Sequence, residues 1–194
     1  MSTAMAKDDT AQVEWATRQW LEQVVIGFNL CPFARREFEN GRIRFAVCGA
    51  ENPEELLLAF ATELERLERE PQIETTLLIF PNALRDFFDF LDLVDMAQGW
   101  VDEQGLEGVY QLASFHPRYQ FDGTAPNEPA NYTNRSPWPI IHLLREDSVE
   151  KAIAAYPDTG TIPQRNIALA KEKGLAFWQD LLLRLRKAQP PILP

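Results

Sequence analysis

The chain predicts an α/β layered domain with a roughly four-stranded, mostly parallel sheet flanked by helices, and a ferredoxin-like α+β arrangement as the alternative. Three observations lead there. Segments with apolar residues at helical spacing alternate with short β-branched runs. Strands that alternate with helices favour parallel pairing through right-handed crossovers. The length, 194 residues, fits a single domain over 1–194, and a chain of that size buries about 70% of its extended surface without staples.

Val13, Ala16, Trp20, Val24 and Phe28 recur at helical spacing and predict a first helix over Val13–Phe28. Asn29-Leu30-Cys31-Pro32 ends it. Pro32 then opens a short helix through Phe38 with Cys31 at its N-cap, proline being favoured in the first helical position. Arg42–Cys48 reads as a strand closed by Gly49. Asn52-Pro53-Glu54-Glu55 combines a capping side chain, a proline at N1 and acids in the first turn, ahead of a buried stripe of Leu56, Phe60, Leu64 and Leu67. Gln72–Phe80 is a β-branched, mostly apolar strand. Asn82 is expected to cap a helix carrying Leu84, Phe87, Phe88, Leu91 and Val94 that runs out near Gly99. Gly108–Phe115 is a third strand and Ile140–Leu144 a fourth, whose direction the sequence leaves open. Asp147–Glu150 has capping-box spacing before a short helix to Tyr156. Tyr156–Thr161 is a turn-rich link, and Pro163 opens one long last helix with Ile167, Ala170, Phe177, Leu181 and Leu185 inward. Residues 1–10 and 190–194 read as frayed ends.

The formal charge is −10 and the sequence pI about 4.7. With no basic stripe to offset that excess, nucleic acid is not an expected partner. No apolar run reaches the ~20 residues of a membrane helix, and the first residues lack the apolar core of a signal peptide. The expectation is a cytoplasmic protein with no membrane partner, whose Cys31 and Cys48 are reduced thiols. Cofactor and oligomeric state are left unknown by the sequence.

The stretch Phe115–Pro139 has neither helical nor strand period. It holds five prolines, five aromatics, three asparagines, Arg118, Arg135 and Asp122, and no lysine. A structureless segment of this length inside a domain is usually functional or disordered, and its aromatic content disfavours disorder. In open α/β sheets ligands sit beyond the carboxyl ends of the strands, which here are Cys48-Gly49, Pro81-Asn82 and His116. The expected ligand is therefore a small anionic or polar molecule at this loop. Arg118, Asp122, Asn131, Asn134, Arg135, Ser136 and His142 would hold it. The alternative for the same polar side chains is to satisfy the loop's own backbone.

Catalysis would fall to Cys31 and His116. A thiol at a helix N-cap, with Arg35 and Arg36 one turn on, would have a lowered pKa, and an imidazole beside it would serve as base. The alternative for Cys31 is a small buried hydrophobe, and for His116 a cap on backbone groups. Position 37 is Glu37, so the Cys-x5-Arg loop of tyrosine phosphatases is not present. Cys31, Cys48, His116, His142 and Asp122 lack the close pairing of a zinc motif, and no metal is expected. Thr159–Asn166 offers only the donors of an ordinary helix start.

The motifs Asn29-Leu30-Cys31-Pro32-Phe33-Ala34, Phe115-His116-Pro117 and Asn134-Arg135-Ser136-Pro137, with Pro139, His142 and Arg145, resemble a bacterial family known only as domain of unknown function fourteen-fifteen. The resemblance spans most of the chain and implies no activity. Three readings thus stand: a small enzyme, a metabolite- or peptide-binding module, and an interaction subunit with Tyr132 and Trp138 as exposed anchors. The enzyme is preferred by a small margin.

Overall fold

A computed structural model describes residues 9–156 and 159–191. The frayed ends expected at 1–10 and 190–194 fall mostly outside the described residues, as do two positions of the turn-rich link, 157 and 158. Four strands form one sheet: β1 (Ile43–Val47), β2 (Thr75–Ile79), β3 (Tyr110–Phe115) and β4 (Ile140–Arg145). Their order is β1-β2-β4-β3. β1 pairs parallel with β2, while β4 is antiparallel to both β2 and β3. The sheet is therefore mixed, which corrects the mostly parallel expectation. β1, β2 and β3 still share one direction, so their carboxyl ends lie at one edge, where the chain of β4 also enters.

Helices cover both faces. On one, α3 (Pro53–Arg69) and α4 (Phe87–Glu103) bury Leu56, Phe60, Leu64, Leu67, Phe90 and Leu93 against Ala46, Leu78, Ile141 and Leu143. On the other, α1 (Thr10–Trp20), α6 (Ile162–Lys173) and α7 (Leu175–Arg186) pack with Phe45, Leu77, Ile79 and Ile140. Burying one such large apolar side chain stabilises the fold by about 1.5–3 kcal/mol relative to exposure. Two shorter helices, α2 (Ala34–Glu39) and α5 (Glu146–Ala155), bury no residue fully.

Several boundaries differ from the sequence reading for local reasons. The first helix widens into a π-helix over Leu21–Ile26. At its exit, a Cβ on Gly27 would stand 2.3 Å from the Gln23 carbonyl oxygen, so only glycine fits. Cys31 is not an N-cap: α2 begins after Phe33, which supplies no side-chain cap. Asn82 does not cap α4 either. It reaches across to donate to the Gly49 carbonyl at 3.1 Å, and Asp86 caps the helix instead, accepting from Phe88 N–H. α4 runs through Gly99 to Glu103. Asp147 lies inside the first turn of α5, which starts directly from β4. The long last helix is two helices, broken at Gly174 with φ 78° and ψ 162°, a conformation open essentially to glycine alone.

Candidate functional site

Strand alternation separates the two residues expected to work together. Phe115, the last residue of β3, packs edge-on against Trp20 at 5.1 Å on the α1 face. The next residue turns the other way: the His116 ring stacks on Phe90 at 5.2 Å and sits beside Phe87, under α4. Cys31 packs against the α1-face core. The thiol and the imidazole thus belong to cores on opposite sides of the sheet, and the expected nucleophile–base pair is not assembled.

Each group is also tuned against that chemistry. Burial raises the Cys31 pKa, outweighing the backbone N–H groups of Phe33 and Ala34 that pull it down. His116 is fully buried, and burial lowers its pKa to about 4. Its Nδ1 accepts from Arg118 N–H at 3.0 Å, which fixes Nε2 as the protonated nitrogen, donating to the Leu84 carbonyl at 2.9 Å. No lone pair is left for a substrate proton. Leu84, the acceptor of this bond, has φ 58°, a conformation rare for a bulky residue.

The loop after β3 folds on itself. Asn131, fully buried, accepts from Phe121 N–H at 3.0 Å and the Thr124 hydroxyl at 2.9 Å, and donates to the Ala125 carbonyl at 2.9 Å. Arg135 donates to the carbonyls of Tyr119 at 3.0 Å and Pro126 at 2.7 Å and lies over the Tyr132 ring. Trp20 Nε1–H donates to the Arg135 carbonyl at 3.0 Å, tying the loop to α1. Arg118 donates to the Arg85 carbonyl and the Asp86 carboxylate at the start of α4. Asn134 donates to the Ser114 carbonyl and accepts from Thr133, and Ser136 donates to the Trp138 carbonyl. Asp122 is exposed. Tyr132 and Trp138, expected as exposed anchors, are both buried. The side chains nominated as ligand holders are largely engaged by the loop's own backbone, as an irregular segment requires.

His142 lies on β4, away from this network. Thr75 donates its hydroxyl proton to the Leu143 carbonyl at 2.6 Å, which leaves the Thr75 oxygen to accept from His142 Nε2 at 2.6 Å. Burial pushes its pKa down to about 4. Arg145 donates to the carbonyls of Ile73 and Leu67. Among the described residues no three His, Cys, Asp or Glu side chains are grouped to hold a metal ion, and no helix is long and apolar enough to cross a membrane.

An open concavity lies elsewhere. A groove of about 420 Å³ runs along β1, the edge strand. Thr10 and Glu14 of α1 form one wall, and Glu55, Leu58 and Thr62 of α3 form the other; Phe45–Cys48 form the floor. In a parallel pair alternate residues turn both backbone groups to the same neighbour. Glu74 N–H donates to the Arg42 carbonyl and Cys48 N–H to the Ile79 carbonyl. The even-numbered residues of β1 therefore face β2. Ile43, Phe45 and Val47 turn their N–H and C=O outward, and no strand pairs with them among the described residues.

The family model described as a protein of unknown function, DUF1415, matches residues 12–180. The chain belongs to the DUF1415 family. No curated protein and no solved structure matches it. The motifs that carried the resemblance now have places in this DUF1415 fold. Asn29 and Leu30 offer their carbonyls to Arg165 and Asn166 of α6, while His116 and Arg135 are the two fasteners of the loop. What sequence reasoning missed is the β1 groove, whose walls come from residues far apart in the chain. One signal was available: Leu58 is apolar yet stands off the buried stripe of α3, and it is 66% exposed.

Proposed function

We propose that this DUF1415 protein is a binding module that takes an extended polypeptide segment along the free edge of β1, and that it does not turn over a substrate with Cys31 and His116. The observation that carries the reading is the outward row of backbone groups on Ile43, Phe45 and Val47 at the floor of an open groove. An exposed edge of this kind is a ready template for an added strand, and strand addition is a recurring mode of peptide recognition. The groove suits it, because α1 and α3 wall it on both sides and so have room to read alternate side chains of the guest. Support also comes from the loop, whose polar groups meet one another and leave few to face a ligand.

Selection of displayed random octapeptides on the full chain tests the proposal. Val47→Pro removes an outward N–H without touching the ladder to β2, a tolerated place for proline. Selected peptides should bind this variant at least tenfold more weakly. Leu58→Glu, on an exposed position that cannot unfold the core, should weaken them as well. Peptides indifferent to both substitutions, or no selected peptides at all, would overturn the reading.

A further inference from the structure

We infer that the segment received at β1 is cationic, with a Lys or Arg placed two residues from an apolar side chain on the face turned toward α3; this rests on the strand-addition reading above. Three observations carry it. First, the acids of the groove outnumber its cations: Glu14, Glu55 and Glu63 line it against Arg44.

Second, these charges are not equivalent. Arg44 is held by Glu63, with Nε and Nη2 at 2.6 and 3.0 Å from its two oxygens, and Glu63 is also 3.6 Å from Arg66. Glu14 is paired with Arg18 at 3.3 Å. Glu55 makes no ion pair among the described residues, and its negative field is felt at Cys48, whose pKa is raised by burial and then by Glu55. It is the acid left to meet a guest's charge.

Third, the order of groups along the groove suits a strand. α3 is the crossover between parallel neighbours β1 and β2, so it runs opposite to β1, and Glu55 stands near the strand's carboxyl end. Leu58 follows one turn along, about 4.5 Å further at ~1.5 Å per residue. Same-face side chains of an added strand repeat every ~6.8 Å. A cation facing Glu55 puts the side chain two positions away about 2.3 Å past the level of Leu58, a difference that the flexible stem of a lysine or arginine spans, so that side chain can cover Leu58, which is 66% exposed. The same charges argue against a second copy as occupant. Pairing two β1 edges would bring the acids of both grooves together in a chain that already carries −10, and like charges held close across an interface are destabilising.

Three blocked hexapeptides test this on the full chain by fluorescence anisotropy: Thr-Lys-Thr-Leu-Thr-Val, and the same peptide with Gln or Glu in place of Lys. The Lys peptide should bind roughly threefold to fivefold more tightly than the Gln peptide, the range of an exposed ion pair, and the Glu peptide more weakly than either. Glu55→Gln, at an exposed position, should erase the Lys–Gln difference while leaving the Gln peptide unchanged. Equal binding of all three would overturn the cationic inference and leave strand addition standing. Binding of none would overturn it too, and if selection also yields no Val47→Pro-sensitive peptide the binding-module reading falls with it. A concentration-dependent dimer in sedimentation, dissolved by Val47→Pro, would give the edge to a second copy and overturn both.

Discussion

Replacing His116 with Gln separates a structural imidazole from a working one. In the folded protein burial holds the His116 pKa at about 4, against an ordinary value near 6.5. Between those values the unfolded chain binds a proton that the folded chain does not. By linkage, stability then rises with pH: the contribution is fully present above pH ~6.5 and is lost as the pH falls toward 4. At pH 4.5 the difference amounts to about 2–3 kcal/mol. At pH 7.5 His116→Gln should cost about 1–3 kcal/mol, because the Arg118 N–H and the Leu84 carbonyl lose a fitted partner. Urea unfolding of both proteins from pH 7.5 to 4.5 should show the wild type losing those 2–3 kcal/mol relative to the variant, so the two curves converge or cross. Curves that stay parallel, or an imidazole resonance assigned to His116 that titrates near 6.5, would refute the argument. The neutral, doubly bonded histidine would then be an exposed or mobile one.

Other consequences are as direct. Asn131→Ala leaves the Phe121 N–H without its partner, while the Thr124 hydroxyl keeps the Phe121 carbonyl and the Ala125 carbonyl keeps Glu128 N–H, and should cost about 1–3 kcal/mol in chemical denaturation; a loss under about 0.5 kcal/mol would mean that the loop does not depend on it. Gly174→Ala forces a Cβ onto φ 78°, ψ 162° and should cost about 1–3 kcal/mol, read as a fall in thermal midpoint. Burial raises the pKa of both thiols, so Cys31 and Cys48 should alkylate more slowly at pH 7.5 than a free cysteine; a fast-reacting Cys31 would restore the thiolate reading.

Much of the fold was legible because it rests on local patterns. The stripe Leu56, Phe60, Leu64 and Leu67 is buried as its spacing requires, and Asn52 caps α3 by accepting from Glu55 N–H at 2.9 Å. The four apolar runs became the four strands. The insertion of β4 between β2 and β3 was not legible, since pairing order depends on contacts between distant segments, and the three sequential strands read equally well as neighbours. The breaks at Gly27 and Gly174 have the same character. Nothing local distinguishes a glycine that tolerates a helix, such as Gly99, from one that ends it. Cys31 and His116 looked like partners because each sits beside a chain break. That they face opposite cores follows from which way the chain turns after Phe115.

The loop Phe115–Pro139 drew attention as a site because it is longer than its connection needs. Antiparallel neighbours such as β3 and β4 can be joined by about two residues. The extra length serves packing instead: Tyr132 and Trp138 are buried in the α1-face core, Tyr132 stacks on Trp178 at 6.2 Å, and Arg186 lies over Trp138 at 4.4 Å. The segment closes the end of the core that α1, α6 and α7 leave open. That assignment has a consequence for reading variants. Changes in the loop, such as Arg135→Ala, remove bonds that hold backbone carbonyls, and so they act first on stability. Leu58→Glu removes nothing that the fold uses, and Glu55→Gln removes only a first-turn acid of α3, about 0.3–1 kcal/mol, so both act chiefly on binding. A protein whose binding tracked the first class and ignored the second would have its site in the loop after all.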